Sequence, residues 1–229
     1  LNNTKVALND ENKMAVQPAY LKQLKLNIED FNIEEKSIQI QNLLIDSLNV
    51  VYTTFNQDKA AKPLELNAFL PDLGWNISAK SIAVKNSAVH LSQPNLKPSK
   101  GPIALHDLHL NDINTQLKDL KLDSTLQVNI IDFTLNDGDN LNIKEFYSKV
   151  NISDNEIKLK DSGLKLNNSS IQLNASYKVD DFSNFPNQFE QSSDIQAFIA
   201  ASDANLFLPK ANRINKSIRL NLRSNGNLE

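Results

Sequence analysis

SIQIQN, at Ser37–Asn42, alternates aliphatic and polar residues, and the chain repeats the phrase. SIAVKN follows at Ser81–Asn86, SIQLN at Ser170–Asn174 and SIRLN at Ser217–Asn221. A period of two sends successive side chains to opposite faces of an extended backbone. Each phrase therefore reads as a strand with aliphatics on one face and Gln, Lys, Arg and Asn on the other. None contains a catalytic side chain, so the repetition points to architecture before chemistry.

The same alternation runs outward from these phrases. Leu24-Lys25-Leu26-Asn27-Ile28, Leu48-Asn49-Val50, Ile77 to Leu91, Ile103 to Leu110 and Leu117 to Leu135 carry it. It resumes at Ile157-Lys158-Leu159, Leu164-Lys165-Leu166 and Ile218 to Leu222. Turn signals divide the runs at Asp72-Leu73-Gly74, Asn95 to Pro102, Asn136 to Asp139, Ser153-Asp154-Asn155 and Asp161-Ser162-Gly163. Such short connections predict antiparallel pairing, because parallel strands need long crossovers. Helical signals are few. Ile143 to Val150 fits a helical turn or a continued strand, and Asp203 to Leu208 reads as a short helix capped by Ser202 or Asp203 and stopped by Pro209. Asp181 to Gln191 reads as a loop anchored by phenylalanines.

Across 229 residues no composition shift marks a boundary, so residues 1–229 are expected to form one continuous β unit. The chain starts at Leu1 without an initiator Met and reads as a section of a longer repeat-like protein. The spacing from Ile38 to Ile82 and from Ile171 to Ile218 suggests a loosely recurring array.

Composition excludes several functions. The net charge of −3 offers no electrostatic footprint for nucleic acid. Cysteine is absent, which removes disulfides, thiol catalysis and cysteine-bound zinc. No apolar run approaches the length of a membrane-spanning helix. Triplets such as Asn76-Ile77-Ser78 match the glycosylation pattern, but they arise by chance in so Asn-rich a chain. His106 and His109, set in an alternating run, point to opposite faces of a strand and read with His90 as solvated side chains rather than metal ligands. Asp137-Gly138-Asp139-Asn140 lacks the glutamate of a calcium loop and reads as a hairpin turn. No Gly-rich phosphate loop, nucleophile elbow or carboxylate pair stands out, so the chain is not expected to be an enzyme or to hold a cofactor or metal.

What remains is the aliphatic face. A transmembrane barrel needs aromatic girdles, and one Trp with four Tyr does not supply them. A tight β-helix usually needs more than five glycines in this length. The expected class is all-β with minor helix: a long antiparallel meander folded over into an apolar groove, with a β-sandwich as the alternative. The inward candidates, which would line a lipid groove, are Leu24, Leu26, Ile38, Ile40, Ile82, Val84, Leu120, Leu122, Ile171, Leu173, Ile218 and Leu220. Each fits a plain core position as well as a lipid contact. The alternative function is an extracellular β-sandwich that binds protein or glycan through loops such as Gln93–Gly101.

Longer stretches carry a resemblance. LKLNIEDFNIEEKSIQIQNLLIDSLNVVYTTF (Leu24–Phe55) and LPDLGWNISAKSIAVKNSAVHLSQP (Leu70–Pro94) resemble the strand phrases of the AsmA/TamB superfamily. LKLNNSSIQLNASYKV (Leu164–Val179) and IAASDANLFLPKAN (Ile199–Asn212) resemble it too. The resemblance implies a bacterial envelope protein, anchored in the inner membrane by an N-terminal helix and crossing the periplasm as a long sheet curved into an apolar trough. It also implies phospholipid transport between membranes or outer-membrane assembly. Its partners would be a phospholipid or other acyl-chain lipid, together with outer-membrane assembly proteins and no nucleic acid. The anchor and the C-terminal module of that family have no counterpart here, so the chain corresponds to a middle section.

Overall fold

The computed structural model describes residues 1–10, 15–53, 74–92, 107–137, 141–153, 155–178, 189–208 and 212–228. In chain order the strands are β1 (Asn2–Asp10), β2 (Ala15–Asn32), β3 (Ser37–Thr53), β4 (Asn76–Ser92), β5 (Asp107–Leu122) and β6 (Leu126–Asn136). They continue as β7 (Asn142–Ile143), β8 (Glu145–Ile152), β9 (Glu156–Lys165), β10 (Ser170–Lys178), β11 (Phe189–Ile199) and β12 (Ile218–Leu228). A single turn of helix, α1 (Ala201–Ala204), follows β11. All the strands join one 12-stranded sheet in the order β1-β2-β3-β4-β5-β6-β8-β9-β10-β11-β12, with β7 pairing β6. The sheet is open, with β1 at one edge and β12 at the other.

The expected all-β fold is present, with chain order equal to spatial order almost throughout. One junction departs from the antiparallel expectation: β3 and β4 run parallel, Ile38 opposite Ile77 and Val50 opposite Val89. Residues 54–75 connect them, which is long enough for the return crossover that a parallel pair requires. That junction also sets the phrase copies out of step. Ile82, in SIAVKN, lies opposite Leu43, while Ile38 in SIQIQN lies opposite Ile77. The phrases open β3 and β10, and from its second residue SIRLN opens β12, but SIAVKN sits inside β4. They are strand-forming phrases and do not stack as equivalent rungs.

A closed sandwich would bury many large aliphatics between two sheets. Among the described residues the buried apolar side chains are Ala79, Val128, Leu135, Ala175 and Ala200, mostly small. Among the described residues no second layer covers the sheet, so the architecture they form is one open, folded-over sheet and not a sandwich.

Two local expectations need correction, and one open alternative is decided. Asp161-Ser162-Gly163 is not a turn but lies inside β9, where Asp161 adopts φ +50° as a bulge residue. Ile143 to Val150 is extended, in β7 and β8. The helix begins at Ala201 with Ala200 as its N-cap and no side-chain cap. Asp203, inside it, turns away and accepts a 2.8 Å hydrogen bond from the Asn168 backbone N–H in the β9–β10 turn. The Asp137 hairpin is present: the Leu141 N–H donates to Asp137 Oδ1 at 2.7 Å, and Leu135 lies opposite Ile143. Of the expected loop Asp181 to Gln191, Phe189 onward belongs to β11, and the rest lies outside the described residues. Asn95 to Pro102, with all of Gln93–Gly101, His106 and Gly138 to Asn140, also lies outside them.

Candidate functional site

Directly opposed residues in a ladder project to the same face, so the registers trace each face from strand to strand. One row runs Phe31, Ile38, Ile77, Leu122, Leu126, Ile152 and Ile157, from β2 to β9. A second runs Leu26, Leu43, Ile82, Leu117 and Ile130, from β2 to β6. A third begins Leu24, Ile45, Val84, Thr115, Phe133 and crosses to Phe146 through an edge-on ring contact at 6.4 Å. It continues through Leu164, Ile171 and Ala197 to Leu220. Ile40 and Leu120 sit on the same face through Ala79, Leu173 through Ile195 and Leu222, and Ile218 through Ile199. Every inward candidate read from the sequence therefore lies on one continuous face.

That face is half-buried across the central strands, whereas Lys80, Lys118, Gln127, Lys160 and Gln172 on the other face are exposed. With no covering layer among the described residues, a single sheet half-buries one face by curling toward it, so that its side chains shelter one another. The curl has a local cause. Asn3, Ser47, Asn86, Asp112, Asp119 and Asp161 have φ between +49° and +56°, inside strands where such values mark bulges. A bulge bends the strand and raises its twist. Asn and Asp tolerate this conformation better than other residues bearing a Cβ.

Neighbouring strands share the bulges. Ser47 and Asn86 fall at the same height on the parallel pair. Asn86 Nδ2 donates to Asp46 Oδ1 at 3.1 Å, and the Asn86 backbone N–H donates to Asn114 Oδ1 at 2.9 Å. The hydrogen bond from Asn86, joined by one from Ser47, holds the Asp46 carboxyl below the usual range. In the other half of the sheet the Asp161 N–H donates to Asn174 Oδ1 at 2.8 Å, and Lys149 Nζ lies 2.7 Å from Asp161 Oδ2. The abundant Asn, unassigned by sequence reasoning, here closes the backbone groups that bulges leave open.

Small residues floor the curl. Ser87 follows the bulge at Asn86 and is buried; its hydroxyl donates to Lys85 O at 2.9 Å and accepts from the Leu48 N–H at 3.2 Å. Ser162 follows the bulge at Asp161, and its hydroxyl lies 2.7 Å from that of buried Ser148. Ala79, Ala175 and Ser193 are the other small buried residues on this face. These floor positions were missed from sequence because Ser and Ala break the aliphatic pattern. Leu43 and Ile45 were missed because the alternation slips by one residue between Ile40 and Leu43.

Among the described residues, chemistry-bearing groups do not converge on the face. His90 and His109 lie directly opposite each other on β4 and β5, rings stacked at 3.8 Å, one position along from the Val89–Leu110 pair and hence on the other face. Among the described residues no group of His, Asp or Glu has a metal-binding arrangement. No described helix is long and apolar enough to cross a membrane. The site is thus an aliphatic trough, uncovered among the described residues and about 48 Å across its strands at the usual strand spacing. Comparison with family models, curated proteins and solved structures finds no match to this chain.

Proposed function

We propose that this chain is a section of an AsmA/TamB-like protein of the bacterial envelope, and that its trough shelters lipid acyl chains in the periplasm. The supporting observation is the single aliphatic face, uncovered among the described residues, that passes from β2 to β12. Each methylene removed from water is worth about 0.8 kcal/mol, so a long acyl chain cannot leave a membrane at useful rates without such shelter. The trough supplies that shelter by contact alone, with no reacting group. In this reading the whole protein is anchored in the inner membrane and serves phospholipid transport or outer-membrane assembly.

The test is native mass spectrometry of the chain after incubation with phospholipid vesicles. Bound phospholipid, retained through gel filtration, is the expected result. A chain that emerges free of lipid at every vesicle concentration contradicts the proposal.

A further inference from the structure

The face opposite the trough carries a groove of its own, across β8 to β12. Two neighbouring rows of side chains frame it. One row is Tyr147, Gly163, Gln172, Gln196 and Asn221, each opposite the next in the ladder. The other is Glu145, Lys165, Ser170, Phe198 and Arg219, two residues along each strand and hence on the same face. Between the rows, Leu164, Ile171, Ala197 and Leu220 send their side chains into the trough. That leaves a depression of about 450 Å³ over their backbone. It crosses strands for roughly 19 Å at the usual spacing. It lies on a face and depends on neither edge of the sheet.

Its side chains are not spent on the fold. Elsewhere Asn86, Asn114 and Asn174 are used up at the bulges. Gln172, Gln196 and Asn221 are exposed, and among the described residues their amides make no hydrogen bond. Each amide offers two donors and an acceptor, and the ladder sets the three in a line roughly 4.8 Å apart. Tyr147 lies across Gly163 at the β8 end, and Phe198 in the second row is 37% exposed. Lys165 is neutralised by Glu145. Arg219 lies 5.9 Å from the Phe198 ring and, among the described residues, pairs with no carboxylate.

Aromatic rings can pack on the C–H faces of sugars, and a line of amides can exchange hydrogen bonds with hydroxyl and acetamido groups. One unpaired guanidinium can take a carboxylate. A nucleic acid would need more cations, and a peptide would need a sheet edge or an apolar pocket. The geometry points to an acidic glycan with acetamido groups, bound along this groove. On the reading of the chain as a periplasmic section, that glycan is the cell-wall polymer, whose strands carry both groups. The trough and the glycan site then occupy opposite faces and do not compete.

The test is calorimetry with oligosaccharides that alternate N-acetylglucosamine and glucuronate, against chitin oligosaccharides of equal length, which lack the carboxylate. Wild type is expected to bind the acidic series about tenfold more tightly, the effect of one charge-assisted pair. Arg219→Ala is expected to erase that difference. Phe198→Ala and Gln196→Ala, with wild-type circular dichroism, are each expected to weaken both series about tenfold. Gln127→Ala, exposed on the same face outside the groove, is expected to bind as wild type does. Sedimentation with purified cell-wall sacculi should follow the same order. Ile82→Glu, in the trough, is expected to keep glycan binding, and Phe198→Ala to keep fatty-acid binding, so the two sites fail separately. A wild type that binds neither series, or groove variants that bind as wild type does, overturns the inference. Oligosaccharide binding without sedimentation on sacculi overturns the cell wall as its source.

Discussion

Gly163 lies directly opposite Tyr147 across β8 and β9, and a Cβ placed on it would come within 2.3 Å of Tyr147 Cζ. The ring covers the glycine, as aromatic residues often do beside glycines in sheets. Gly163→Ala is expected to destabilise the chain by about 1–3 kcal/mol through overpacking. In a Tyr147→Ala background the same substitution should cost much less. Urea melts of the two single variants and the double variant give the coupling, and simple additivity would show that the ring is not the obstacle.

Asn86 tests the bulges. At φ +49° a β-branched side chain is strained, so Asn86→Val is expected to cost about 1–2 kcal/mol from the backbone alone. Asn86→Gly relieves that strain while losing the hydrogen bond to Asp46, and should cost less than the valine variant. Thermal melts of both variants check the order.

Asp203 is 1% exposed and ties α1 to the β9–β10 turn. Burial pushes its carboxyl up, but hydrogen bonds from the Asn168 backbone, Ser169, Ser202 and the Asn168 amide outweigh that and hold it below the usual range. A carboxyl lowered in the folded state adds stability above its unfolded pKa, about 4, and loses it as pH falls through the folded value. Asp203→Ala leaves the Asn168 N–H without this acceptor and should cost about 1–3 kcal/mol at neutral pH. Asp203→Asn is expected to flatten the acid limb of stability, the part lost as pH falls below the ordinary carboxyl range. An unchanged acid limb would remove Asp203 from the account.

Period two in the aliphatics identified the strands, and in most of the sheet chain order alone supplies the neighbours. Ile38, Ile82, Ile171 and Ile218 were legible as inward residues for that reason. The bulges were not. Asp161-Ser162-Gly163 has turn composition because a bulge, like a turn, needs a residue that accepts positive φ, and local sequence does not separate the two. Each bulge also slips the alternation by one, which hid Leu43 and Ile45 behind the phrase at Ser37–Asn42. The parallel step between β3 and β4 depends on a long connection whose direction no periodicity encodes. The stacked His90 and His109 were read as separate solvated residues, because only the β4–β5 register brings them together.

The central claim is that the aliphatic face is an open trough and not a closed core. Ile82 and Ile171 lie on that face, and Gln116 lies exposed on the opposite one. In a closed core Ile82→Glu buries an unpaired carboxylate, costs several kcal/mol and unfolds the chain. In an open trough the carboxylate reaches water, so the fold persists and only the apolar path is interrupted. The measurement is displacement of a fluorescent fatty acid from wild type, Ile82→Glu, Ile171→Glu and the Gln116→Glu control, with thermal melts alongside. The expected result is binding by wild type and control, weakened binding by both isoleucine variants, and melts that retain a cooperative transition. Isoleucine variants that unfold, together with a wild type that binds no fatty acid, contradict the account.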